Sequence, residues 1–402
     1  MTELTEQAVD KPERSSKPLV YSVIFLHMLN HVISGSMPML YPDLMDEFKL
    51  SYGQLGLVRS VAGLAAGFPQ LFVGLFRRWF SGRVIVSIGN IINSVMNIAI
   101  AAGNGFLQFL GFSVVAGVGS SVQHPIGASI VSNGSDPSDR GKMLGLNQSI
   151  PSIAFTFTPL ITAYMLTRMG WRTTLGILSV PALLLSLFIL FFVKGGSDVE
   201  GKTRDALNWS SLKESLRNKN VLSISLLRSV MAFRMGIRTF LPLYFIDILG
   251  FTSERSSLLY SILLGGGVLG PFFWGWVSDR MDRKPLIIGI MVFSAAGYFM
   301  LNFVTSFWGL AALLFFIGFM VQTVIVQSVL SDSVERTQLD QIFGLYFTIG
   351  FTIASFSSAI FGYIVEIYGF GVGFSYIAAV SALSLIPAFF IKEPRNTEIT
   401  IL

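Results

Sequence analysis

The chain has 402 residues, no cysteine, a formal net charge of +5 and 52% hydrophobic residues. Only 13% of its residues are charged, about half the ~25% of soluble domains, and its mean hydropathy is +0.66. These values exclude a soluble enzyme, a secreted disulfide scaffold and a disordered chain, and the missing cysteine excludes thiolate metal sites and cysteine nucleophiles.

A polar tail, 1–17, comes first; it carries no apolar core or small-residue cleavage site, so it reads as a cytoplasmic tail rather than a cleaved signal. Twelve segments follow, each near the ~20 mostly apolar residues that cross a bilayer. They are spans 1 to 12: 18–42, 52–76, 84–102, 106–131, 143–167, 172–193, 220–247, 255–277, 286–303, 307–331, 341–367 and 372–391. The polar stretch 194–219 separates six spans from six, and its 209–217 portion reads either as a solvated linker or as a short amphipathic helix on the membrane surface. The domain expectation is therefore an N-terminal bundle, 18–193, a cytoplasmic linker, a C-terminal bundle, 220–391, and a cytoplasmic tail, 392–402.

Loop charge sets orientation. With the N-terminus in the cytoplasm, the inner segments hold twenty Lys and Arg, among them Lys17, Arg77, Arg140, Lys213 and Arg283, and the outer segments hold four: Lys49, Arg168, Arg172 and Arg255. Cytoplasmic loops carry the excess of basic residues, so both termini are expected inside the plasma membrane. The basic balance is then topology, and no nucleic-acid partner is expected.

The two halves align at an offset near 200. Gly74 matches Gly275, Gly117 matches Gly318, Gly145-Leu146 matches Gly344-Leu345, and the segment from Met37 to Asp43 reads like that from Leu241 to Asp247. Two parallel six-helix bundles, related by pseudo-two-fold symmetry about the membrane normal, place a solute site between them near the midplane.

Between spans 8 and 9 lies Gly275-Trp276-Val277-Ser278-Asp279-Arg280-Met281-Asp282-Arg283-Lys284. It resembles the Gly-x-x-x-Asp-Arg-x-Gly-Arg-Arg pattern of the major facilitator superfamily, departing at Asp282. Asp139-Arg140-Gly141-Lys142 and Gly170-Trp171-Arg172 are also similar to that family. The resemblance implies an all-α membrane protein of twelve transmembrane helices and secondary transport by alternating access. It also implies a gating motif of Gly275, Asp279, Arg280, Arg283 and Lys284, in which Asp279 locks the inner side while the outer side is open. The loop after span 2 has Arg77 and Arg78 and lacks the acid. His124-Pro125, with His27, Asn30 and Tyr41-Pro42, resembles the fosmidomycin-resistance branch, which exports a phosphonate; Ile126 stands where that branch has an acid.

Ionisable residues within a bilayer are costly, ~2.5–3.5 kcal/mol or more each, and therefore point to function. Here they are His27, His31, Arg59, His124, Arg228, Arg234 and Arg238; no Asp or Glu lies near the middle of a span. At 1.5 Å per residue, Arg234 falls near the midplane of span 7, and Arg238 shares its face. Arg228 points elsewhere and is shallow enough to snorkel. The repeat aligns Asn30 with Arg234, Ser34 with Arg238, and Arg59 with Tyr260. Arg59 and Arg238 also stand where pairing with Asp43, Asp247 or Glu366 would make a gate. The expected substrate-binding set is Arg234, Arg238, Asn30, His31, Arg59, Gln123, His124, Tyr260 and Gln322. Asn147, Gln148 and Gln327 are further candidates, for hydrogen bonds to substrate or for helix–helix contacts. His31 and His124 are the proton-coupling candidates. His27 and His31 have metal-compatible spacing, but no nearby carboxylate or cysteine completes a site; no metal and no cofactor are expected. Gly265-Gly266-Gly267 reads as a close-packing device.

Arg without matching acids favours an anionic solute, because guanidinium pairs with carboxylate and phosphate through two hydrogen bonds. The expected function is a monomeric secondary transporter of a small carboxylate, phosphate ester or phosphonate, coupled to protons. The alternatives are a broad-specificity drug exporter of the same fold and a transporter-like receptor or sensor. No catalytic cluster or nucleotide loop supports an enzyme.

Overall fold

A computed structural model describes residues 15–77, 79–136, 138–194, 217–334 and 339–392. Linker residues 195–216, which include 209–216 of the segment read as a linker or a surface helix, both distal tails and Arg78 fall outside the described residues.

Among the described residues, nine helices are long and apolar enough to cross a membrane. Two of them, Arg140–Phe192 and Ile342–Phe389, are each two crossings joined without a loop. Gly170 (φ 74°, ψ 168°) breaks the first and Gly369 (φ 79°, ψ 171°) the second. This left-handed backbone suits a residue without Cβ, and the two breaks sit at equivalent places in the repeat. Span 2 is the twelfth: it runs as Tyr52–Gly67 and then Gln70–Phe76, interrupted before Pro69, which removes a backbone donor. The twelve expected crossings are thus accounted for. Span 1 is longer than its apolar run suggests, Lys17–Phe48, and stops at Lys49 in a left-handed conformation.

Spans 4 and 10 are broken at matching depths. Span 4 divides into Phe106–Ser120 and Gln123–Gly134, and span 10 into Phe307–Phe319 and Thr323–Asp332. Above each break a bare glycine admits a neighbouring backbone. A Cβ on Gly117 would run into the Ala62 carbonyl of span 2, and one on Gly318 into the Leu263 carbonyl of span 8. Gly266 likewise packs against the backbone of span 10, as the triple glycine implies. Large apolar side chains such as Leu107, Phe272 and Trp308 remain more than 70% exposed, which fits a surface solvated by lipid rather than water.

The buried residues fall into three cores. One lies at the end away from the termini and is shared by both halves, from Met37, Leu44 and Leu55 to Phe240, Tyr244 and Phe374. The other two lie at the end carrying the termini, one wholly in the first half and one wholly in the second. The halves are therefore joined at one end and separate at the other.

Candidate functional site

The joined end is closed by contacts between spans 2, 7 and 11. The Tyr52 hydroxyl donates to Asp247 at 3.2 Å, the Gly53 amide donates to Glu366 at 2.6 Å, and the Ala359 amide donates to Ser60 at 2.9 Å. Gly56 presses on the Ser358 carbonyl with no room for a Cβ. Asp247 and Glu366 are thus engaged with Tyr52 and Gly53. They do not pair with Arg59 or Arg238, and the expected arginine–carboxylate gate is absent among the described residues.

Behind this closure lies a cavity of ≈ 470 Å³ between the halves. The first half contributes His27, Asn30, His31, Tyr41, Arg59, Asn93, Asn97, Gln123 and His124; the second contributes Met235, Arg238, Thr239, Tyr260, Phe351 and Ser355. Each half thus supplies one arginine, and no Asp or Glu lines the cavity among the described residues. Neither guanidinium has a hydrogen-bond or ion-pair partner there. Arg59 and Arg238 lie close enough to the Tyr260 phenol to interact with it electrostatically, and Arg59 also reaches Tyr41. Tyr41 and Tyr260 are 1% and 2% exposed, so this polar group has little bulk water around it.

Arg234 is placed differently from expectation. It is buried behind the cavity wall, donating to Gln322 Oε1 at 3.2 Å, while Gln322 Nε2 reaches the Met231 sulfur at 3.0 Å. Neither Arg234 nor Gln322 lines the cavity. The reason is local: Phe233–Gly236 is a 3₁₀ turn, which advances about 120° per residue. An α-helical register therefore does not carry from Arg234 to Arg238. The Arg228 guanidinium lies over Tyr346 at 5.1 Å, against the bare backbone of Gly350. Gln123 is the repeat counterpart of Gln322 and also sits at a helix break, accepting from Asn90 at 2.9 Å and donating to the Val23 carbonyl at 3.4 Å.

Span 3 was overlooked in the sequence. Asn93 donates to Asn30 at 2.9 Å, Asn97 donates to Asn93 at 2.9 Å, and Asn30 donates to Asn90. Asn93 and Asn97 reach the cavity. The signal was present: Asn90, Asn93 and Asn97 recur on one face of an otherwise apolar helix. The three histidines also meet on the wall, His124 joining His27 and His31 from a distant part of the sequence. His27 and His31 ring centroids are 4.9 Å apart, His27 and His124 5.0 Å, and His31 and His124 6.3 Å.

Three contacts tie the 8–9 loop to its own half. Arg283 pairs with Asp332, Lys284 donates to the Phe389 carbonyl at 2.7 Å, and Arg280 folds over Trp276 at 4.2 Å. Asp279 is exposed and has no side-chain partner among the described residues. At the opposite end, Glu47 accepts from Trp171 at 2.5 Å and from Arg172 at 2.6 Å, and Arg172 also donates to the Ala101 carbonyl. This staples spans 1, 3 and 6.

A model of the family described as Major Facilitator Superfamily matches residues 21–270 and 229–400. The chain belongs to the major facilitator superfamily. The transporter is 23% identical over 363 residues to the fosmidomycin resistance protein of Escherichia coli (strain K12), covering 88% of this chain and 87% of that one. It is 21% identical over 380 residues to the hexuronate transporter of Bacillus subtilis (strain 168), covering 87% and 88%. Among solved structures it is similar to a bacterial homologue of the human lysosomal transporter Spinster in an inward-facing and occupied conformation. That match has a TM-score of 0.75 and 16% identity, and covers 93% and 95% of the two chains. Members of this superfamily are membrane transporters of small molecules and not enzymes.

Proposed function

We propose that this transporter carries a small organic anion, a carboxylate, phosphate ester or phosphonate, by alternating access between bundles 18–193 and 220–391. The observation that carries the reading is the cavity itself: among the described residues it has one unpaired arginine from each half, a wall of amides and phenols, and no lining carboxylate. Two guanidiniums in a confined space repel each other unless an anion lies between them, and the attraction is strengthened where water is scarce. Anchoring the same solute from both halves couples its binding to their closure. Relatives named for fosmidomycin, a phosphonate, and for hexuronate, a sugar carboxylate, agree with that chemistry. His31 and His124 are the proposed proton carriers in the metal-free cavity. Gly275, Asp279, Arg280, Arg283 and Lys284 are the proposed gate, in which Asp279 has no side-chain partner among the described residues.

A thermal-shift screen of the purified protein against metabolites tests the substrate class, since ligand bound to the folded state stabilises it by mass action. Stabilisation by anions is expected. Stabilisation by lipophilic cations alone would overturn the reading in favour of a drug exporter.

We further propose that the termini and the linker face the cytoplasm of the plasma membrane, on the twenty-to-four basic asymmetry. The chain lacks cysteine, so single cysteines report sidedness without background. A cysteine at Asp46 should react with an impermeant maleimide in intact cells, and one at Lys392 only after lysis. The reverse pattern would refute the orientation.

A further inference from the structure

The chain contains three histidines, and the fold brings all of them to one place. His27 and His31 lie one turn apart on span 1, and His124 is the second residue of the second segment of span 4, beside its break. One ring nitrogen from each lies within 4.8 Å of the other two. We infer that His27, His31 and His124 form a binding site for a divalent transition-metal ion of the Zn²⁺ type.

Four observations support the assignment. First, His27 Nδ1 faces Asn147 Oδ1 at 3.2 Å. An amide oxygen can only accept, so Nδ1 carries the proton and Nε2 keeps its lone pair; this is the outer-shell hydrogen bond that orients a metal-binding imidazole. Second, His27 Nε2 and His31 Nδ1 are buried with no hydrogen-bond partner, although His27 is 98% buried, its exposure being 2%. Buried ring nitrogens are normally satisfied, and a single ion would satisfy both. Third, tetrahedral coordination with metal–nitrogen bonds of ~2.0–2.1 Å needs nitrogens roughly 3.3 Å apart. The nitrogens now lie within 4.8 Å of one another, so binding an ion would draw them together by up to about 1.5 Å. Fourth, nitrogen donors without carboxylates select Zn²⁺, Ni²⁺, Co²⁺ or Cu²⁺ over Mg²⁺ or Ca²⁺. The absence of a sequence-local third ligand argued against a metal; the break in span 4 supplies that ligand from another helix.

Three protein ligands leave the fourth tetrahedral position open, and all three histidines line the cavity. An anionic solute would coordinate there, with Arg59 and Arg238 on the same cavity. That last step rests on the anion reading, whereas the metal site does not.

The test uses tag-free full-length protein in detergent, stripped with chelator and titrated with Co²⁺ alone. One equivalent should bind, with the intense visible bands of tetrahedral Co²⁺, and Zn²⁺ should displace it. His124 lies at the exposed rim of the site, so His124→Ala leaves the interior packing intact. It should weaken binding at least about 100-fold, because losing even a supporting residue costs roughly 10–100-fold. His124→Cys should restore binding and add a thiolate-to-cobalt charge-transfer band. No visible bands in the parent, or the same bands in His124→Ala, would overturn the proposal. Stoichiometric cobalt binding without anion stabilisation in the thermal screen would leave the metal site standing and remove the anion reading.

Discussion

Replacing Arg238 by alanine is expected to weaken anion binding roughly 30-fold to several thousand-fold, the equivalent of ~2–5 kcal/mol for a charge-assisted pair in a partly dry site. Arg238 lines the cavity, has no protein partner among the described residues, and comes from the opposite half to Arg59. Arg238→Lys should also bind poorly, because an ammonium does not reproduce the planar fork. Arg234→Ala provides the contrast. That side chain is held by Gln322 behind the cavity wall, so its removal should lower thermal stability and leave anion affinity within a few-fold of the parent. Affinities come from calorimetric titration of monodisperse variants with an anion found in the screen. If Arg238→Ala binds as tightly as the parent while Arg234→Ala does not, the anchor is Arg234 and the 3₁₀ turn does not remove it from the transport path.

Gly56→Val is expected to shift the transporter strongly toward the state in which the end away from the termini is open. A Cβ on Gly56 would lie 3.0 Å from the Ala359 Cα and closer still to the Ser358 carbonyl. Those are helix backbone atoms of span 11, which cannot rotate aside. Spans 2 and 11 must separate, breaking the hydrogen bonds from the Ala359 amide to Ser60 and from the Gly53 amide to Glu366. Overpacking costs about 1–3 kcal/mol, which changes the ratio of the two states about 5-fold to 150-fold. The contact lies between the halves rather than within either, so each bundle should keep its own fold. Spin labels on cysteines at Asp46 and Ile248, both exposed near this mouth, would read the separation by pulsed electron resonance. A distance distribution identical to that of the parent would sink the prediction.

The shared mouth explains why the two arginines count together. Arg59 and Arg238 belong to different halves, and the contacts that close the joined end belong to both. Under the proposed reading, opening that end would separate the arginines, and the strength of anion binding and the population of the closed mouth would be linked. An anion bridging both should therefore restore part of the closure lost in Gly56→Val, as far as its differential affinity for the two states allows.

The amino-acid sequence by itself determined the number of crossings, their rough limits and the internal repeat. Lipid offers no hydrogen bonds, so each crossing must be a helix of ~20 apolar residues, and that demand is written in consecutive residues. The positions of Gly117 and Gly318 were legible for the same reason: close helix contact requires a missing side chain. The basic, acid-free interior was legible too, because a charge in a span stands out against its neighbours. What faces the cavity was decided only by tertiary structure. Spacing on an ideal helix put Arg234 and Arg238 on one face, but the 3₁₀ turn at Phe233–Gly236 turns Arg234 toward Gln322 and leaves Arg238 on the wall. Asp247 and Glu366 were available to either arginine on paper; the packing of span 2 against spans 7 and 11 gave them to Tyr52 and Gly53 instead. His124 joins His27 and His31 because the break in span 4 rests against span 1. Helical periodicity relates residues one turn apart, whereas a site between helices depends on where each helix bends and which neighbour it meets.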